Sequence, residues 1–470
     1  MASEASQTMS LKILVEKEKN RIVFVEANKD FVDVLFSFLT IPIGTIFGLT
    51  HEHFLEGEIG CLNDLYESLE KLDEDFLSSE QKGILLHPRC ASDIYCRHLK
   101  VNLVECNKSK YYACYQNYPS SARCSVVSYN QNDSCPCGKA LRYEVNLLNP
   151  VSHGGSGFIK PAAQFVITDD FQVLPMSTMA GLSLLGNFGA FDWSKTEERM
   201  LNVGKDEVLK LLKCSLASMT PFSDSILEPP FSKTKPMINY GQCGRRMMNL
   251  SQRDMDTGNK DENINLKLII NRSNNRVLYA EVEENFVYLL RSFLSIPIGY
   301  IIKEFPYLSF NGNLGNLRKS VQDLDVNKFF KSKEMKAILL HPKLAPGTSY
   351  GKKLIGIEEA VNPSYSTLSS LFKITFTALS SESPLQEVKI GGELVKGPSM
   401  FMVTDSLSIA PLSLISCISL IDRLKVPVSD IQELEVNMGE EETLRLLVAS
   451  LGSRSALTDA FVLKETKQET

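Results

Sequence analysis

Seven of the eleven cysteines in this chain, Cys90, Cys96, Cys106, Cys114, Cys124, Cys135 and Cys137, fall within 48 residues. Thiolates at that density suit a tetrahedral metal site. Four of them close a structural zinc centre, whereas a catalytic centre keeps one position open for water. The stretch "YYACYQNYPSSARCSVVSYNQNDSCPCGKAL" supplies Cys114, Cys124, Cys135 and Cys137, which are predicted to hold one structural zinc per chain. The spacing departs from that of a tight knuckle, whose paired ligands lie two to four residues apart. Nine residues separate Cys114 from Cys124, and one separates Cys135 from Cys137. Free buried or reactive thiols, and disulfides, stay open as alternatives. A redox role for the C-x-C pair lacks the βαβ surroundings of a thioredoxin-like site.

A second set has the residue types of a Ser-His-Asp triad, and it occurs twice: His87 and His341, Asp169 and Asp405, Ser177 and Ser413. Neither copy carries a G-x-S-x-G elbow. A histidine before proline is more simply an extended residue, and Thr-Asp suits a turn or cap. Gly154, Gly155 and Gly157 with Lys160, and Gly391 and Gly392 with Lys396, are glycine runs near a lysine. They match neither phosphate-binding fingerprint and read as loops before strands. His51-x-His53 reads as a surface loop, with an exposed metal pair as the alternative. No catalytic residue is assigned.

The elements that position these residues are duplicated. "NRIVFVEANKDFVDVLFSFLTIPIG" and "NRVLYAEVEENFVYLLRSFLSIPIG" align without a gap at an offset of 255 residues. "GILLHPR" answers "AILLHPK", "FVITDDFQVLPMS" answers "FMVTDSLSIAPLS", and "NVGKDEVLKLLKCSL" answers "NMGEEETLRLLVASL" as the offset drifts to 235. A period this long indicates tandem domain duplication rather than a solenoid. The predicted fold is α+β, in two homologous modules. Each opens with a β-hairpin, continues into an amphipathic helix and closes with a C-terminal helix. The first module spans 1–229 with a Cys-rich insert at about 90–140; a linker spans 230–262; the second module spans 263–470 without the cysteines. Both modules are expected to fold alone.

Phe31, Val34, Leu35, Phe38 and Leu39 recur at helical spacing, as do Phe286, Leu289, Leu290, Phe293 and Leu294. Pro42 and Pro297 in the repeated "IPIG" cannot continue those helices, and the glycines two positions on permit a turn. The motif therefore reads as a helix stop. Acidic residues precede each closing helix, where its dipole favours them.

With 43% apolar and 23% charged residues, 470 residues can fill two or three cores. A net charge of −6 gives no case for nucleic acid. Phe31 to Leu49 is broken by Asp33, Pro42 and Gly44, so no membrane span is expected. "MASEASQTMS" has no signal-peptide pattern, and the cysteines fit a reducing compartment.

The "FVEANKDFVDVLFSFLTIPIGTI" segment, the "LLHP" pair and the F-V-x-T-D strand followed by P-x-S resemble a plant-specific family known as domain of unknown function 674. The resemblance implies an intracellular plant protein, cytoplasmic rather than nuclear, and brings no established activity. It also implies a closer first cysteine pair, for which His98, Cys106 or Cys96 could replace Cys124. The resulting expectation is a non-enzymatic interaction or scaffold protein with an unidentified protein partner. The rival is a small-ligand-binding or hydrolytic enzyme with a pocket near the His-Pro and Thr-Asp segments.

Overall fold

The computed structural model describes residues 8–50, 60–73, 76, 82–83, 86–96, 99–104, 111–113, 127–128, 139–140, 142–147, 157–187, 193–227, 264–306, 311–345, 357–358, 360, 365–369, 372–375 and 400–462. The linker at 230–262 and Cys114, Cys124, Cys135 and Cys137 lie outside them. The architecture mixes α and β, with three antiparallel five-stranded sheets, one in each half and one shared between them, and many helices.

The hairpin strands β1 (Met9–Glu16) and β2 (Arg21–Asn28) form where strand-rich sequence flanks a polar turn. Asn20 closes that turn at φ 44°, a left-handed conformation that asparagine tolerates. Asn28 then caps α1 (Lys29–Ser37), its side chain accepting from the Asp30 and Phe31 amides. The phenylalanine–leucine stripe of α1 is buried, but so are Val32, Asp33 and Phe36. A helix buried on every side is a central element rather than an amphipathic cover. After a 3-10 turn at Phe38–Thr40 and the extended Ile41-Pro42 pair, the chain restarts as α2 (Ile43–Thr50) and continues through α3 (Leu62–Lys71). Further strands are β3 (Gln164–Thr168) and β4 (Val173–Pro175), followed by α4 (Thr178–Asn187), β5 (Thr196–Val203) and α5 (Lys205–Ala217). The first sheet has the order β4-β3-β2-β1-β5.

The second half has β6 (Ile264–Asn271), β7 (Arg276–Glu283), α6 (Glu284–Leu294), α7 (Ile298–Glu304), α8 (Asn311–Asp323) and α9 (Lys333–Leu340). It continues with β8 (Met400–Thr404), β9 (Ile409–Pro411), α10 (Leu414–Arg423), β10 (Ile431–Met438) and α11 (Glu440–Gly452). The second sheet runs β9-β8-β7-β6-β10, the order of the first. Both hairpins also bulge at one place, passing over Val23 in one and Leu278 in the other. Glu207 and Glu442 reach back to the Gly204 and Gly439 amides at the starts of α5 and α11. These helices do not close their halves: a short helix at Pro221–Ile226 and a turn at Thr458–Val462 follow them.

The two "IPIG" segments do stop helices, and they also meet. Pro42 and Pro297 form an antiparallel bridge. The Ile43 amide donates to Ile296 O and the Ile298 amide to Ile41 O, each at 3.0 Å. Glycine is required there by close approach rather than by a turn. A Cβ on Gly44 would stand 3.0 Å from Leu294 Cβ, and one on Gly299 would overlap Leu39 O.

Around this crossing the halves exchange helices. α3 packs against α6 and β9, while α8 packs against α1, α5 and β4. The exchange is reciprocal in detail. Cys61 Sγ donates to Ser453 O at 2.9 Å, and the Asn313 side-chain amide donates to Ser218 O. A third sheet pairs Tyr143–Leu147 with Tyr365–Ser369, again across the halves. One apolar core runs without a break from Met9 to Val462. α3 and α8 each touch the edge strand of the other half's sheet, β9 and β4, so the two halves share contacts that an isolated half would lack.

Candidate functional site

The repeated Thr-Asp pairs build architecture. The Thr168 hydroxyl accepts from the Gln172 amide and closes a turn that holds the buried Phe171 at φ 66°; Thr404, Ser408 and the buried Leu407 (φ 64°) repeat it. Bulky residues in the left-handed region carry strain of about 1–3 kcal/mol and persist only where packing over-determines them. Asp169 accepts from the Ser223 amide (2.9 Å) and hydroxyl (2.6 Å), and the Ser223 hydroxyl accepts from the Ile22 amide (2.8 Å). Asp405 receives the amide (2.8 Å) and hydroxyl (2.7 Å) of Thr458, whose oxygen accepts from the Val277 amide. Each aspartate thus fastens the end of its half onto the hairpin beside its bulge. Ser223 and Thr458 were the residues missed by sequence reasoning, although "S-D" and "T-D" at the offset of 235 signal them.

The triad candidates stay apart. Asp169 is engaged by Ser223 and Arg21. Ser177 is exposed and caps the Ala180 amide. His87 faces Gly48 and Tyr66.

Burial pushes Asp405 up to about 6 despite the two donors from Thr458, and it raises Asp169 in the same sense. An acid whose pKa rises on folding binds its proton more tightly in the native state. Its contribution is therefore fully present below the unfolded value of 3.8 and is lost as pH rises through about 6. From pH 4 to 7 that loss is on the order of 2–3 kcal/mol for Asp405. Asp405→Asn should accordingly gain on the wild type across that range in urea titrations. A difference independent of pH would refute the assignment.

The glycine-rich segment meets an internal anion. Gly157 takes φ +81°, and the Phe158 and Ile159 amides donate to Asp33 Oδ1 at 2.7 and 2.9 Å. Lys29 pairs with the other oxygen at 2.9 Å. Amides that could cradle a phosphate thus hold a buried carboxylate of α1. Lys160 donates to Asn327 O, and Gly154, Gly155, Gly391, Gly392 and Lys396 lie outside the described residues.

Among the described cysteines, Cys90 donates to Thr40 O at 3.0 Å, and burial raises the thiols of Cys90 and Cys96, which keeps them protonated. Among the described residues no three His, Cys, Asp or Glu side chains are grouped as a metal site. His51, His53, His98 and Cys106 are outside that set. No helix among them is long and apolar enough to cross a membrane.

Two surfaces remain. A groove of about 480 Å³ opens between β4 and α8, lined by Val173, Pro175, Lys319, Asp323, Lys328 and Phe329 among others. No His-Pro or Thr-Asp residue lines it. The second surface is the outward side of α10. Cys417 and Leu420 pack onto the second sheet, while Leu414, Ile415 and Ile418 are 81%, 78% and 66% exposed. On the first sheet α4 similarly turns Met179 and Leu182 outward.

The family model described as "Protein of unknown function (DUF674)" matches residues 5–441. No curated protein and no solved structure matches the chain.

Proposed function

The chain belongs to the DUF674 family, and from that premise we propose that it is a non-enzymatic interaction protein built of two homologous modules. The observation that carries this reading is the solvent-facing apolar run of α10. Leu414 and Ile418 lie one helical turn apart with Ile415 beside them, a ridge suited to an amphipathic helix of a partner protein. Exposed apolar residues clustered in this way mark interaction sites more often than chance surface. The outward residues Met179 and Leu182 of α4 are a second exposed apolar set. The enzyme reading loses support because both Thr-Asp carboxylates are consumed by internal hydrogen bonds.

The test is affinity capture with the full chain and with Leu414→Glu/Ile418→Glu, whose side chains can change without loss of packing. A partner recovered by the wild type, lost by the variant, and bound through an apolar helix supports the proposal. Equal recovery overturns it, as does a chain whose only associate on this face is a second copy of itself, seen as a dimer that the variant dissolves.

We also propose one structural zinc, held by Cys114, Cys124, Cys135 and Cys137. Its support is the polar, tyrosine-rich sequence around them, which burial alone would hardly order. Elemental analysis of the full chain should give about one zinc, since structural sites bind at roughly 10–16 kcal/mol. Cys135→Ser with Cys137→Ser should remove it. We propose an intracellular plant setting as well, on the family resemblance alone.

A further inference from the structure

The two His-Pro corners have diverged, and the difference is chemical. In the first half, a Cβ built on Gly48 would lie 2.6 Å from His87 Cε1 and 2.9 Å from the Tyr66 hydroxyl, so those three positions converge. The repeat offsets carry them to Lys303, Arg318 and His341 in the second half. Lys303 lies in the last turn of α7, Arg318 is on α8, and His341 caps α9; these three helices pack on one another. A glycine, a tyrosine and a histidine have become a lysine, an arginine and a histidine.

We propose that this corner binds the phosphate group of a small metabolite, with Arg318 as the principal contact and His341 and Lys303 beside it. The carboxylates near it are already engaged. Glu304 pairs with Lys303 at 2.7 Å while its charge also reaches Arg318, and Glu358 pairs with Lys343 at 2.7 Å. Arg318 makes no comparable pair, and its Nε is buried without a hydrogen-bond partner. An unpaired buried donor on a guanidinium is what a planar or tetrahedral oxyanion satisfies, through two parallel hydrogen bonds. Partial burial first, then the Lys303 and Arg318 charges, hold His341 below the ordinary imidazole range, with Glu304 opposing. A bound dianion would reverse that balance. At the matching positions the first half carries Gly48, Tyr66 and His87, so it serves as an internal control.

The experiment is a proton NMR titration of the histidines of the full chain, with His341 assigned by His341→Gln. Inorganic phosphate should raise the His341 pKa by about one unit, as an opposite charge within contact distance does, and leave His87 unmoved. Arg318→Tyr, which restores the first-half residue, should abolish the response, and Arg318→Lys should retain part of it. The proposal is overturned by an unmoved His341 at millimolar phosphate or by an equal response in a folded Arg318→Tyr protein. An equal response to acetate would overturn the phosphate class.

Discussion

Gly299→Ala should destabilise the entire chain in a single transition. The added methyl group meets the Leu39 carbonyl, which is backbone and part of the opposite half, and Leu39 Cβ at 3.2 Å. Neither can rotate away. Relief requires moving α7 from the 3-10 turn at Phe38–Thr40 and breaking the paired Ile43 and Ile298 hydrogen bonds. Overpacking against side chains costs about 1–3 kcal/mol, so a backbone clash at a shared core should reach at least about 3 kcal/mol. Gly83→Ala, where a Cβ meets nothing within 4 Å, is the control and should stay within roughly 0.5 kcal/mol. Calorimetry distinguishes the outcomes. One lowered transition is expected; an unchanged first transition beside a lowered second would restore the picture of halves that fold alone.

Arg291→Met should have the opposite sign. Arg291 is 9% exposed, its Nη1 is buried without a partner, and its guanidinium lies over the Tyr288 ring at 5.9 Å. Burial lowers its pKa to about 10, the direction expected when a cation is desolvated, and among the described residues no carboxylate pairs with it. The same position in the first half holds Phe36, which stacks on Phe330 at 6.4 Å, so the site accepts an apolar side chain in its twin. Replacing buried charge with an apolar group of similar volume stabilises proteins by about 1–4 kcal/mol. Urea denaturation should show a gain of that size in Arg291→Met. A loss instead would mean that the guanidinium is compensated by a group bound in the native protein.

Local structure was legible in the residues. The hairpins, the helices that follow them and the ends of those helices at Pro42 and Pro297 come from strand-forming runs, helical spacing and the geometry of proline. The exchange of α3 and α8 was not legible, for a definite reason. The buried stripe of a helix has the same period whichever sheet receives it, so periodicity says that α3 is covered and is silent about by what. The glycines of "IPIG" illustrate this. Pro and Gly mark a break, but only the pairing of the two copies shows why a Cβ is forbidden. The Thr-Asp pairs were legible as turns, and their serine and threonine partners lay just beyond the aligned segments. Arg291 reads as an ordinary polar residue on one helix; its burial follows from packing on every side of α6. The cysteine site rests on composition alone, since its four residues lie outside the described structure.

The contact between Cys61 and Ser453 joins residues 392 positions apart. A chain emerging from the ribosome at about 5–20 residues per second must wait roughly 20–80 s after α3 is made before its seat on the second half exists. During that interval the side of α3 that meets the second half lacks its full set of partners, the condition under which nascent chains recruit chaperones or misassemble with neighbours. Contacts of such long sequence separation also slow the folding search itself. The same exchange therefore places the full seating of α3 after synthesis of α11 and the residues just beyond it, and protease sensitivity of α3 in ribosome-stalled chains of increasing length reads that delay directly.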